Sequence, residues 1–303
     1  MSYGYQDTRD CAGRWAGIRP LLARYTRPFT VLDIGANNGY FSHRIAQEFP
    51  TAVVVMLEQE PMGHQEPGTI FVQHRATLDT LEELDRCEHF DVVLCLSVLH
   101  HFPEGARALA AVRALGDHLV IETPPPSDTV SWAARHLSGP EIWAALPVEG
   151  VVELCRTGSN TTPSTYRPVL WVAGAKTTLQ KHYFGSQWGT AKTMGVVTIE
   201  STFDRKVFHH DRAHKPEKHE HRPWVPGINL QTYLMLGGTW PAPATIVEWV
   251  RQTPLPEVNH GDLLPYNWIL GRDRVTLIDY HDYQVRDDRE GRALTILALG
   301  GVP

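Results

Sequence analysis

The sequence predicts an α/β fold: a doubly wound, mostly parallel sheet with an antiparallel closing hairpin, followed by a small α+β domain. Three observations predict it. Short apolar runs recur through the first half, at Thr30–Ile34, Ala52–Leu57, Ile70–Gln73, Asp91–Leu96 and His118–Glu122. Helix-like segments separate several of them. Two further runs, Val151–Cys155 and Arg167–Ala173, are joined by the turn-rich GSNTTPST.

Each element has a physical warrant. The five runs are β-branched and apolar on consecutive positions rather than alternate ones, as in strands covered on both faces of a parallel sheet. Phe41, Ile45 and Phe49 recur every fourth residue and give a helix one apolar stripe. The Ala- and Leu-rich stretch Glu104–Leu115 reads as a second helix. Strands alternating with helices indicate βαβ units. The last two runs form a hairpin that closes the sheet. A boundary falls near Gly174–Thr178, dividing the chain into domains 1–175 and 176–303. The second part reads as strands at Gly195–Glu200 and Arg205–His209, a polar loop from His210 to Arg222, and helices at Leu230–Leu236 and Ile246–Arg251. A strand at Val275–Ile278 and a short helix at Ala293–Leu299 follow.

Composition narrows the function classes. Hydrophobic residues at 42% and charged residues at 20% suit a globular protein with a buried core. A net charge of -6 argues against nonspecific nucleic-acid binding, which needs positive surface charge. Cys11, Cys87, Cys95 and Cys155 are scattered with no CxxC pair, which disfavours a metal cluster or a disulfide framework and fits a reducing cytoplasm. The polar start MSYGYQDTRD is not read as a secretory leader, and no apolar run reaches the roughly 20 residues of a transmembrane helix.

The stretch VLDIGANNGYFS, Val31–Ser42, is the main functional signal. A strand ends at Ile34, a turn rich in Gly and Asn follows, and a helix starts near Tyr40. Gly35 and Gly39 permit positive φ and close approach of the backbone to a ligand. Such a turn lies at the carboxyl edge of the sheet, where open α/β folds bind ligands, and the helix N-terminus can face an anionic group.

The spacing here is DxGxNxG, not the dinucleotide fingerprint GxGxxG. It resembles the first motif of class I S-adenosylmethionine-dependent methyltransferases. Two further features match that family in order: Glu58, which ends the run AVVVML, and FDVVLCLSVLHHF, Phe90–Phe102. The resemblance implies a Rossmann-like domain with S-adenosylmethionine as cofactor. Asp33, Gly35, Asn37 and Gly39 then contact its methionine part, Glu58 accepts both ribose hydroxyls, and Ser97 lines the methyl-transfer side. Ala76 and Thr77 fall where the adenine contact is expected, without the acidic residue usual there. His100 and His101 follow the fourth strand; either can act as base or cationic clamp, or simply cap a helix, and His101 is favoured. Tyr5, Arg9 and Arg14 either reach the donor carboxylate or an anionic acceptor, or belong to a solvated helix face.

A second signal is HGDLLPYNWIL, His260–Leu270, followed by LIDYHD, Leu277–Asp282. It resembles the catalytic and metal motifs of protein-kinase-like and aminoglycoside-phosphotransferase-like enzymes. The match makes Asp262 the base and Asn267 and Asp279 the Mg2+ ligands, with ATP as the phosphate donor. No glycine-rich phosphate loop precedes it. Lys206 is a weak stand-in for the phosphate-pairing lysine, and 176–303 is short for a full kinase-like domain, so the part reads as reduced. The order of the two signals resembles the bifunctional methyltransferase–kinase enzymes that terminate bacterial O-antigen polysaccharides. This implies O-methylation of a small-molecule acceptor, a saccharide or phosphorylated saccharide. The alternatives are a chain that also phosphorylates with ATP and Mg2+, or a binding or assembly protein with remnant sites. His209, His210, His214, His219 and His221 lack an i,i+4 pair with a third ligand, and a solvated loop is preferred to a metal site there. Trp224, Trp240, Trp249 and Trp268 read as core packing in preference to sugar stacking.

Overall fold

The computed structural model describes residues 10–127, 139–158, 166–174, 178–183, 192–211, 220–223, 225–239, 245, 248, 268–272 and 275–277. Its centre is a seven-stranded sheet in the order β3-β2-β1-β4-β5-β7-β6. The strands are β1 (Phe29–Ile34), β2 (Ala52–Glu58), β3 (Thr69–Gln73), β4 (Phe90–Leu96), β5 (Gly116–Glu122), β6 (Val151–Gly158) and β7 (Tyr166–Ala173). Each contains the run the sequence predicts and extends it. β1 to β5 are mutually parallel, while β7 runs antiparallel to both β5 and β6. The fold is therefore the doubly wound, Rossmann-like α/β sheet with its closing hairpin.

Double-sided burial explains why the runs are continuously apolar. All six residues of β1 are buried. Leu32 and Ile34 enter a core shared with α3 (Leu78–Cys87), α4 (Gly105–Ala114) and α5 (Gly139–Ala145). Phe29 and Val31 face the opposite core, with α1 (Cys11–Leu22) and α2 (Tyr40–Glu48). In α2 the apolar stripe places Phe41 and Ile45 against the sheet. α3 starts at Thr77, whose hydroxyl accepts the Thr80 N–H at 3.2 Å, a Thr N-cap.

The second half of the chain packs onto the first. β8 (Thr178–Tyr183), β9 (Lys192–Ser201), β10 (Lys206–Asp211) and β11 (Glu220–Pro223) form an antiparallel sheet, and β12 (Ile228–Asn229), β13 (Trp268–Leu270) and β14 (Val275–Leu277) another. The polar stretch expected to be a loop from His210 to Arg222 has strand at both ends: β10 runs to Asp211 and pairs with β11. Cross-strand pairing satisfies the backbone there, which the polar composition did not signal. α6 (Leu230–Met235) matches the predicted helix and is capped by Asn229. Ile228, Leu230, Leu236, Trp268 and Leu270 are buried in the same core as α3 and α4. The segments Ile246–Arg251 and Ala293–Leu299 are not covered by the described residues, apart from Glu248.

A buried ion cluster fastens the halves at the amino-terminal edge of the sheet. Asp91 accepts the Thr30 N–H at 2.7 Å and pairs with Arg27 at 2.7 Å and with Lys206 at 3.1 Å. Burial alone would push the Asp91 carboxyl up, but Lys206 and Arg27 hold it below its ordinary value. Lys206 thus neutralises a carboxylate of the parallel sheet, which corrects its reading as a phosphate-pairing lysine. Removing one partner of a buried pair strands the other charge. Lys206→Ala is expected to lower the stability to urea unfolding by about 3–5 kcal/mol, and a loss under about 1 kcal/mol, as for surface pairs, would show that the cluster does not hold the halves together.

Candidate active site

Strand order reverses between β1 and β4: the chain steps outward to β2 and β3 on one side and to β5 on the other. Crossovers leave this point in opposite directions, so a crevice opens at the carboxyl ends of β1 and β4. The loop from β1 to α2 lines it. Gly35 adopts φ 70° and donates its N–H to the Leu57 carbonyl at 2.8 Å. A Cβ at Gly35 would stand 2.6 Å from a Val98 methyl, so both conformation and space require glycine. Asn37 also has positive φ, 55°, and Gly39 caps α2 at φ 78°.

The acidic residue at the tip of β2 folds back onto this loop. Glu58 Oε2 accepts the Asn37 N–H at 2.8 Å, and Oε1 accepts the Glu60 N–H at 3.1 Å. These bonds fix the carboxylate beside Gly35 while each oxygen keeps a lone pair for a hydroxyl donor. Asp33, the fifth residue of β1, is 3% exposed and accepts the Ser42 hydroxyl at 2.6 Å. Burial raises its carboxyl to about 6, against the bond from Ser42, and the charge of Glu58 adds to the rise. Asp33, Gly35, Asn37, Gly39 and Glu58 therefore lie together on one edge.

The β4 side completes the wall. Ser97 takes φ 59°, unusual for a residue with a Cβ. Its hydroxyl bonds Glu122, and its N–H donates to the Glu122 carbonyl at 3.3 Å. The turn Leu99–His101 follows, with its two rings 4.2 Å apart between centroids; His100 is buried and His101 exposed. Ala76, between β3 and α3, packs with Val98 against the α3–α4 core. Asp262, Asn267 and Asp279 lie outside the described residues, as do Tyr5 and Arg9.

Arg14 is a correction to the solvated-face reading. It is 3% exposed, and its guanidinium donates to Glu122 Oε1 at 2.7 Å. Thr157 of β6 bonds the same oxygen at 3.3 Å. Glu122 and Thr157 were missed as site residues because each looks like the polar end of a strand. Among the described residues, no group of three or more His, Cys, Asp or Glu could hold a metal ion, and no helix is long and apolar enough to cross a membrane.

Residues 32–119 match the family model described as a methyltransferase domain. The ubiquinone biosynthesis O-methyltransferase of Pseudomonas fluorescens strain SBW25 is 33% identical over 86 residues, 27% of this chain and 37% of that protein. The enzyme of the same name from Hahella chejuensis is 33% identical over 87 residues, 27% and 36% of the two chains. The match thus spans little more than a third of these relatives' length. Among solved structures, the bifunctional kinase-methyltransferase WbdD aligns at 17% identity and TM-score 0.46, over 92% of this chain and 78% of that one. The N-terminal domain of EvdMO1 with bound SAH aligns at 18% identity and TM-score 0.39, over 52% and 79%.

Asp33 makes the site pH-sensitive. Between its ordinary value of 3.8 and about 6, the folded protein holds a proton that the unfolded chain has lost. Stability therefore falls as pH rises through that window and stays lower above it. At about 1.4 kcal/mol per pH unit, the effect reaches roughly 3 kcal/mol. Urea unfolding of wild type and Asp33→Asn from pH 4 to 7 is expected to show this slope only in the wild type, and parallel slopes would refute the assignment.

Proposed function

We propose that the chain is an S-adenosylmethionine-dependent O-methyltransferase whose acceptor is a saccharide or phosphorylated saccharide. One observation carries the reading: Glu58 is bonded to the N–H of Asn37, so an acid at the tip of β2 and the Gly35–Gly39 turn share one crevice. The match of residues 32–119 to a methyltransferase domain supports the same reading.

The residues present fit such a donor. Glu58 accepts two vicinal ribose hydroxyls, and the N-terminal turn of α2 faces the carboxylate of the methionine part. Asp33, ionised above about 6, attracts the amino group. Ala76 and Val98 offer an apolar wall to the base. When bound, the donor supplies an electrophilic methyl group on a sulfonium. The chain's own contribution is alignment, since displacement at that carbon requires the acceptor oxygen opposite the sulfur. The position of Ser97 after β4 and the neighbouring imidazoles of His100 and His101 support an acceptor on the β4–β5 side. A hydroxyl acceptor gives its proton to one of these imidazoles, with His101 the exposed candidate. An oxyanion acceptor needs no base.

A second reading adds phosphotransfer with ATP and Mg2+ through Asp262, Asn267 and Asp279, and it rests on the HGD motif alone. A third makes the chain a binding protein with remnant sites.

Calorimetry separates these readings. Wild type is expected to bind S-adenosylmethionine, and Glu58→Ala to bind it about 10- to 100-fold more weakly, the loss of charge-assisted bonds to the ribose. Unchanged affinity in Glu58→Ala or in Gly35→Arg overturns the donor site. Stabilisation by ATP with Mg2+, lost in Asp262→Asn, is expected only if phosphotransfer is retained.

A further inference from the structure

Beyond the donor cradle, the carboxyl edge of the sheet holds a buried cation that no described residue neutralises. Arg167 lies on β7 directly opposite Thr157 of β6. Opposed residues of an antiparallel pair raise their side chains on the same face, and the Thr157 hydroxyl on that face contacts Glu122. Val169, two residues along β7, is opposite Glu122. Arg167 therefore stands one step beyond Glu122 toward the carboxyl edge of β5, on the side covered by α1.

The charges there do not balance. Glu122 is occupied by Arg14 at 2.7 Å and by Ser97. Arg167 is 3% exposed, and among the described residues its Nε and Nη1 have no hydrogen-bond partner; neither has Nε of Arg14. A desolvated guanidinium without a counter-charge is costly, and buried charges are otherwise paired. At the opposite edge, Asp91 is buried with two cations and a backbone N–H on it. The same fold that satisfies one edge so fully leaves three buried donor nitrogens open at the other, in line with the methyl-transfer side.

We propose that Arg167, with Arg14 beside it, is the anchor for an oxyanion carried by the acceptor. This rests on the methyltransferase reading for the identity of the ligand as acceptor, and on the geometry alone for the existence of an anion site. The ligand chemistry is a phosphate ester or a carboxylate, since either presents acceptor oxygens to guanidinium donors. Arg14, committed to Glu122 through Nη2, offers its Nε to the same anion. The Ser97–Glu122–Arg14 chain ties this anchor to the end of β4, so that seating the anion and aligning the acceptor oxygen are one event.

The test uses the full chain and three variants, with thermal unfolding as the readout and sodium chloride at equal ionic strength as control. Inorganic phosphate and malonate are the probes. Wild type is expected to rise in Tm with one probe beyond the salt control, and the larger rise tells phosphate from carboxylate. Arg167→Met is expected to lose that rise, yet to unfold without probe at the wild-type Tm or above, because the unpaired charge is gone. Arg167→Lys is expected to bind about tenfold more weakly or worse, keeping the charge and losing the fork. Arg14→Met reports on the second donor. A drop in Tm for Arg167→Met, with wild type indifferent to both probes, makes the residue structural and overturns the proposal. S-adenosylmethionine binding is measured on the same proteins. If wild type binds a probe but not the donor, the anion site stands and the methyltransferase reading falls.

Discussion

The reversal of strand order between β1 and β4 is the constraint on which the rest of the structure depends. A parallel sheet wound outward in both directions from one point must send its crossovers away from that point, which leaves a crevice at the carboxyl ends of the two central strands. Asp33, Gly35, Asn37, Glu58 and Ser97 gather there. The chain leaving β1 has to turn at once into α2 beneath Val98, and only a glycine with φ 70° makes that turn. The same turn exposes the N–H of Asn37, which then fixes Glu58 at the tip of the neighbouring strand. Backbone geometry comes first, and the acid is placed by it.

The two ends of the sheet use buried charge in opposite ways. At the amino-terminal end Asp91 gathers Arg27, Lys206 and the Thr30 amide, so a costly buried carboxylate becomes a fastening between β4, β1 and β10. At the carboxyl end Glu122 gathers Arg14, Ser97 and Thr157. That network links α1, β4, β5 and β6, but it leaves donor nitrogens of Arg14 and Arg167 without acceptors. A saturated network makes a rigid joint, whereas buried donors left without acceptors are costly. The strain of Ser97 at φ 59° sits at the junction between the two halves of the crevice, the β1–α2 loop on one side and Glu122 on the other.

Packing of the second half is part of the same argument. Trp268, Leu270 and Ile228 enter the core under α3 and α4, while Lys206 enters the edge near β1. Asn229 donates its N–H to Glu88 at 3.1 Å, and Arg272 reaches the Ala46 and Ala52 carbonyls at 3.0 and 3.3 Å. Residues beyond 200 thus support the sheet through apolar burial and through direct bonds, whatever chemistry the HGD motif carries.

The sequence by itself determined the strands of the central sheet and the glycine- and asparagine-rich turn after β1, because these follow from local chemistry. A strand buried on both faces is apolar at most positions, and β1, β2 and β4 are so, with the buried Asp33 and Asp91 as hydrogen-bonded exceptions; a turn with positive φ favours glycine or asparagine, as at Gly35, Asn37 and Gly39. The charged partners were decided only by the tertiary structure. Arg14 looked like part of a solvated helix face, and Lys206 like a phosphate ligand, because a long cationic side chain reads the same whether it ends in water or against a buried carboxylate. The strand β11 was hidden for a related reason: a polar histidine-rich segment gains its regular structure from the partner that hydrogen-bonds it, and that partner is fixed by the fold. Position along the chain carries no information on which charge lies 108 residues away, as Glu122 does from Arg14.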